Sequence, residues 1–381
     1  MKTTRMLWAA ALSAAMIGHA HADGGGAAAG DEKPPADPDE DVKARDQDSP
    51  WDNLELSGRV YARFEAWDDD INDWLGEMSL PSARLGVKYK WKDRVAAKIS
   101  FEVRGSVRDA YVDVALSGCL TLRAGRFKLP ASAIERTSTW TLPSVDRPIG
   151  SDVMGGSLGV VGRHIGAGLI WDPGVGIKPK VEVTVSEPFD VSGLPDSPVE
   201  GQRPLSDYAG AGVTVHGEIE PVDGVHLGAF AQNRQVYNGK TAIQRYWTGG
   251  VDVEVERGGL RLWADAIAGT GHFGITTAAP DPTPFVVAQT VLGWRQGGKK
   301  PGKRYVEPFV LAAYVNPDAD RKDDELMQVA GGVAGGRWKR WRAQLQVTSQ
   351  QAGDLGVPDL GGVDVTYADR LSITTQLSAA F

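Results

Sequence analysis

Basic side chains recur at alternate positions through the first third of the chain. Arg59 and Arg63 do so in "LELSGRVYARFEA", and Arg84, Lys88 and Lys90 in "ARLGVKYKW". Lys98 and Arg104 follow in "VAAKISFEVR", and Arg123 in "LTLRAG". Guanidinium and ammonium groups hold anionic oxygens by charge-assisted hydrogen bonds without reacting with them, and arginine's planar fork does so at two points. Glu55, Glu65, Glu102, Asp109 and Asp113 share the same faces, where cations outnumber them. The groups that could react are poorly placed. "GGSLG" (Gly155–Gly159) fits the G-x-S-x-G elbow, but that motif works at a strand-to-helix turn of an α/β sheet, and here it falls in a Gly-rich connection. His164, His216, His226 and His272 lack metal-type spacing. The single cysteine, Cys119, lies in the turn "LSGCLTL" and excludes an intrachain disulfide. The residues therefore point to binding and passage, with no catalysis, no cofactor and no metal.

What must position those cations is a strand, since the apolar residues repeat with a period of two. Leu54, Leu56, Val60, Ala62, Phe64 and Ala66 oppose Glu55, Ser57, Arg59, Tyr61, Arg63 and Glu65. Leu371, Ile373, Leu377, Ala379 and Phe381 oppose Ser372, Thr374, Gln376 and Ser378 at the far end. About sixteen such stretches of about ten residues fill 54–381, the length of a tilted strand that crosses a bilayer. The alternation is most blurred near 162–171, 285–294 and 325–334.

The connections separate a membrane barrel from a soluble sandwich, which would alternate too. If the first strand starts on the periplasmic side, the even connections are mostly short ("KDR", "SGC", "DPGVG", "EPVDG", "ERGG"), with "RQGGKKPGKR" longer. The odd ones are mostly long: Asp68–Pro81, Lys128–Val161, Pro188–Ser206, Gly269–Pro284 and Ser349–Asp369. Short periplasmic turns and long external loops are the habit of outer-membrane barrels. Trp91, Trp171, Trp294, Trp341 and Phe381 all fall at the short-turn end of a strand, where a lipid-interface girdle belongs. The expectation is an all-β fold, a closed antiparallel transmembrane β-barrel in contact with the lipid bilayer.

Residues 1–22 read as a signal peptide: Lys2 and Arg5, an apolar run from Met6 to Ile17, then Ala20-His21-Ala22. Residues 23–53 are rich in Gly, Ala, Pro and acid, show no apolar period, and read as a disordered periplasmic spacer. That spacer carries most of the chain's formal charge of −8, which leaves the barrel region near neutral and gives no basic surface for nucleic acid.

"DAYVDVALSGCLTLRAGRFKLPASAIER" (Asp109–Arg136), with "SVDRPI" (Ser144–Ile149) and "GRHIGAGL" (Gly162–Leu169), resembles the phosphate-selective porin O/P family of bacterial outer-membrane porins. The resemblance implies a homotrimeric sixteen-stranded channel in the outer membrane whose third external loop, here Lys128–Val161, folds inward and narrows the pore. On that loop Lys128, Glu135, Arg136, Asp146 and Arg147 are the charged constriction candidates. The basic strip Arg59, Arg63, Arg84, Lys88, Lys98, Arg104 and Arg123 is the pore-lining candidate. Later strands look mixed, with Lys180, Arg261 and Arg342 against Glu182, Asp252, Glu254, Glu256, Asp265 and Glu307, a basic wall facing an acidic one. The expected function is diffusion of small hydrophilic solutes, with weak preference for anions such as phosphate. The alternative is a plugged structural or adhesive barrel. The closing strand that ends on Phe381 is the expected signal to the outer-membrane assembly machinery.

Overall fold

The computed structural model describes residues 53–69, 74–92, 94–103, 105–187, 209–237, 243–271, 283–298, 300–320, 322, 324–353 and 369–381. The period-two stretches form one antiparallel sheet. Its first members are β1 (Leu54–Asp69), β2 (Leu75–Trp91), β3 (Val95–Glu102), β4 (Val107–Ala115), β5 (Leu120–Lys128) and β6 (Arg163–Trp171). Then come β7 (Lys180–Ser186), β8 (Ala209–Val222), β9 (Val225–Tyr237), β10 (Ile243–Arg257), β11 (Leu260–Gly271) and β12 (Thr283–Trp294). The last are β13 (Gln296–Gly297), β14 (Arg304–Asn316), β15 (Leu326–Arg337), β16 (Trp341–Ala352) and β17 (Arg370–Ala380). β12 and β13 are one strand interrupted at Arg295 and both pair with β14, so the barrel has sixteen positions.

The sheet closes on itself where β1 pairs with β17, Arg59 opposite Ala380. Phe381 N–H donates to the Gly58 carbonyl at 3.2 Å and Gly58 N–H returns the bond at 3.1 Å. The Phe381 ring lies over Gly58, where a Cβ would come 2.1 Å from it, so any larger residue there would displace the ring. Closure removes the unpaired edges that hydrocarbon cannot hydrogen-bond.

Pleating sends alternate side chains outward. On β14, Val306 and Val310 are 51% and 53% exposed, whereas their neighbours Glu307 and Phe309 are buried. Leu56, Ile99, Leu169, Val251, Val329, Val347 and Ile373 are likewise large, apolar and open. An apolar outer surface of this extent is stable against lipid and unstable against water.

Two departures from the sequence expectation have local causes. The connection expected over Asp68–Pro81 is instead mostly strand, with β1 running to Asp69 and β2 starting at Leu75. Pro81, which reads as a strand end, is accommodated because the β1–β2 register shifts between Tyr61 and Arg63, and a bulge does not need the missing N–H. The blurred alternation in β12 arises because Phe285, Val287 and Val291 are apolar yet face inward.

Those inward apolar residues pack against the segment Leu129–Val161, which joins β5 to β6. It holds two short helices, α1 (Ala133–Arg136) and α2 (Ile149–Asp152), and a wide π-type turn over Val153–Ser157. Ser132 caps α1, its Oγ accepting from Glu135 N–H at 3.1 Å. Ala131, Ile149, Val153, Met154, Leu158, Val160 and Val161 meet Phe230, Ile267, Phe285, Val287, Ala313, Val315 and Leu326 in one cluster. Ala133, Ile134 and Leu142 meet Trp263, Val291, Leu311 and Ala330 in a second.

Polar wall residues then satisfy the segment's backbone. Arg342 donates to the carbonyls of Thr139, Trp140 and Leu142 at 2.8, 2.9 and 2.7 Å. Gln344 donates to those of Pro143 and Ser144, both at 2.8 Å. Val145 N–H donates to Gln346 Oε1 and Ile149 N–H to Gln328 Oε1, both at 2.9 Å. The segment is thus fastened by side chains from β15 and β16 that the alternation assigns inward.

Candidate functional site

With one wall covered by that segment, the remaining space lies along β1–β7. It is a cavity of about 710 Å³ whose charged lining is twelve Lys or Arg against four Asp or Glu. Of the expected basic strip, Arg59, Arg63, Arg84, Lys88, Lys98 and Arg123 all line it. Arg104 lies outside the described residues. From the connecting segment, Lys128, Arg136, Asp146 and Arg147 reach the same cavity. Glu135 is not in the lining but holds Arg147 at 3.2 Å.

The pairing pattern determines how much positive charge survives. Two carboxylates are each shared by two cations. Glu102 takes Arg84 at 2.8 Å and Arg108 at 3.2 Å, and Asp109 takes Lys98 at 2.9 Å and Arg163 at 2.8 Å. Arg123 and Asp113 form a two-point pair at 2.7 and 2.9 Å, and Arg63 is bonded to Asp146. Among the described residues Lys88 and Arg59 make no ion pair; Arg59 donates to Ser138 Oγ at 2.8 Å and lies over the Trp140 ring. Charges that share a carboxylate leave net positive potential in a narrow, weakly screened space.

The "DAYVD…LRAGRF" motif acquires a physical meaning here. Asp109, Tyr111 and Asp113 face the cavity side of β4, and Arg123 and Phe127 that of β5. Arg123 lies 4.6 Å from the Tyr111 ring centre, which meets Phe127 edge-on at 6.3 Å. Between them Gly125 has φ +125°, and a Cβ would come 2.2 Å from the Ala110 carbonyl oxygen, so no side chain fits.

Arg108 and Arg163 were not legible as lining residues. Arg108 sits one position out of phase with Asp109. It turns inward because the β3–β4 register shifts between Ser100 and Phe101. Arg163 follows Gly162 at the start of β6, where the alternation is not yet established.

The acidic wall expected opposite the basic one is not presented to the cavity. Glu307 is fully buried between Arg261 at 2.9 Å and Arg295 at 2.8 Å, and Arg295 stacks on Trp338 at 3.8 Å. Asp265 accepts from Ser132 Oγ at 2.6 Å and from Ala133 N–H at 2.9 Å, which seats α1 on β11. Asp252 and Glu218 receive the Arg136 guanidinium at 3.1 and 2.7 Å. Burial works against the charge on Arg136, and the two carboxylates outweigh it and raise its pKa. Asp265 and Asp252 thus hold the segment directly, and Glu307 holds Arg261, which itself donates to the Thr141 carbonyl at 3.0 Å. Among the later-strand charges, Glu182 is the acid that lines the cavity, beside Lys180.

Trp91, Trp171, Trp294, Trp341 and Phe381 are 49%, 41%, 49%, 39% and 78% exposed, all at the end of the barrel that carries the short turns. Cys119 is free and lies in the β4–β5 turn. The "GGSLG" run overlaps the π-type turn after α2, with no strand leading into it. Among the described residues no helix is long and apolar enough to cross a membrane.

The family of phosphate-selective porins O and P matches residues 55–242. No curated protein matches the sequence. Among solved structures, the anion-selective porin of Comamonas acidovorans is similar with a TM-score of 0.61 at 12% identity, covering 86% of this chain and 99% of its own. OmpF of Salmonella typhi, solved with daunomycin, gives 0.60 at 11%, covering 86% and 97%. The outer-membrane channel DcaP of Acinetobacter baumannii gives 0.57 at 12%, also covering 86% and 97%. At such identities the likeness carries the fold, and the sequence family carries the rest. The phosphate-selective porin O and P match spans 188 of the 381 residues, just under half of the chain, and with the closed barrel around it this is an outer-membrane porin, through which small hydrophilic solutes diffuse.

Proposed function

We propose that this passage prefers anions, weakly for chloride-like ions and more strongly for phosphate-class oxyanions. The observation that carries the reading is the cavity lining, in which cations outnumber carboxylates three to one. Arg59, Arg63, Arg84, Lys88, Lys98 and Arg123 form the barrel side of the track, and Lys128, Arg136 and Arg147 the loop side, with Leu129–Val161 as the constriction. Selectivity in such a pore comes from charged side chains at close quarters, binding strongly enough to admit an ion and weakly enough to release it. The plugged-barrel alternative has the two apolar clusters in its favour, but they cover only one wall.

Planar bilayers held in a potassium chloride gradient provide the test. The reversal potential is expected on the anion side, and inorganic phosphate added at equal ionic strength is expected to lower the chloride current. A cation-side potential overturns the reading; the absence of conductance steps favours the plugged barrel.

The same reading includes assembly into trimers. β3 to β7 have 8, 9, 9, 9 and 7 residues, whereas β8 to β12 have 14, 13, 15, 12 and 12. About 9–11 tilted residues are needed to cross the hydrocarbon, so the β3–β7 wall falls at or below that minimum and is best covered by neighbouring copies. Phe381, open on the outer surface, is assigned to recognition by the assembly machinery. Light scattering on protein extracted from membranes is expected to give three chains per particle. A chain lacking Phe381 is expected to yield markedly less assembled barrel. A one-chain mass, or undiminished yield, would refute the respective part.

A further inference from the structure

Four metal-type donors that the sequence scatters over 37 positions converge on three adjacent strands. His216 and Glu218 lie on β8, His226 on β9 and Asp252 on β10. Gly228 stands in register with Glu218 on one side and Asp252 on the other. A Cβ there would sit 2.6 Å from Asp252 Oδ1, so its absence lets the two carboxylates face each other. Donor atoms of His216, Glu218 and Asp252 all lie within 4.8 Å of one another. His216 Nε2 is 3.0 Å from Asp252 Oδ2, and His226 Nδ1 is 3.3 Å from Glu218 Oε1. A tetrahedral ion with bonds of ~2.0–2.1 Å to nitrogen and oxygen needs ligand edges of ~3.3 Å, close to both spacings.

This place is already built for positive charge. The Arg136 guanidinium, carried in by α1, bridges Glu218 and Asp252. It is a tethered cation, while the two imidazoles beside it are donors that a guanidinium leaves unused. A hard ion such as magnesium would gain little from imidazole, whereas zinc-class ions favour it.

We propose that His216, Glu218, His226 and Asp252 form a site for a zinc-class dication that enters from the cavity and exchanges with the Arg136 guanidinium. His226 is half-buried and Arg136 lines the cavity, so the exchange does not require the barrel to open. The released guanidinium stays on the passage and adds a mobile positive group to it.

Calorimetric titration of zinc chloride into the untagged, detergent-solubilised porin, without phosphate, tests this. One zinc per chain is expected, with no competition from magnesium. Arg136→Ala removes the competitor and is expected to tighten zinc at least ~10-fold, while His226→Ala weakens it ~10-fold or more. His226 lies beside a short turn, so its truncation leaves the barrel folded even if Arg136→Ala does not. Zinc affinity unchanged by His226→Ala, or matched by magnesium, overturns the site; affinity unchanged by Arg136→Ala overturns the exchange. Neither readout depends on the ion preference of the pore.

Discussion

Replacing Arg59, Lys88 and Lys98 together with glutamate will pull the reversal potential off the anion side. The three positions are chosen from the pairing pattern. Arg59 and Lys88 make no ion pair among the described residues, and Lys98 shares Asp109 with Arg163, which remains to hold it. The substitutions therefore change the charge of the passage while leaving the two-point pairs that stiffen its wall. Each swap counts twice, and together they bring a lining of twelve cations and four acids close to parity. The anion-to-cation permeability ratio is expected to fall ~3-fold or more at low salt, and the difference is expected to shrink toward 1 M salt, where the screening length is ~3 Å. A ratio that stays put would show that the basic track is not the filter.

Arg342→Met is expected to damage the protein more than any comparable wall substitution. The arginine is fully buried and supplies three hydrogen bonds to consecutive stretches of loop backbone, while its guanidinium lies 5.2 Å from the Trp140 ring centre. Methionine fills much of the space but leaves the carbonyls of Thr139, Trp140 and Leu142 without this donor. Losing charge-assisted bonds to buried carbonyls costs about 3–5 kcal/mol in total. The predicted result is a lower unfolding temperature and a noisier single-channel trace, since Ser138, Thr139 and Val145, at the two ends of this stretch, line the cavity. A quiet trace with unchanged thermal stability would mean that the apolar clusters alone hold the loop.

The barrel was legible because its physics is local. Period two, turn length and the end-on placement of Trp91, Trp171, Trp294 and Trp341 can be read without knowing what touches what. Arg59, Arg63, Arg84, Lys88, Lys98 and Arg123 follow that alternation, and this puts them on the face that lines the cavity. Arg108 was not legible, because a register shift between neighbouring strands moves it in phase, and no pattern within β4 reveals that. The fate of Asp252, Asp265 and Glu307 was equally hidden. Each is inward by alternation, but whether Asp252 and Asp265 meet water or Arg136 and Ser132 depends on a loop more than a hundred residues away in the chain, and Glu307 meets Arg261 of β11 across 46 positions. His216 meets Asp252 and His226 meets Glu218 through the register of β8, β9 and β10, which spacing within one strand does not reveal. Conversely, the apolar inward positions that blurred β12 were a trace of the loop core, visible in the sequence as noise.

Trp140 meets Arg342 across 202 positions, and Ile149 meets Gln328 across 179. The oily underside of the loop is therefore synthesised well before the strands that shelter it, and contacts this distant form slowly. A nascent chain must carry Ile134, Leu142, Val153 and Met154 uncovered until its second half arrives, so the interval before the seam shuts is when this porin is most exposed to aggregation.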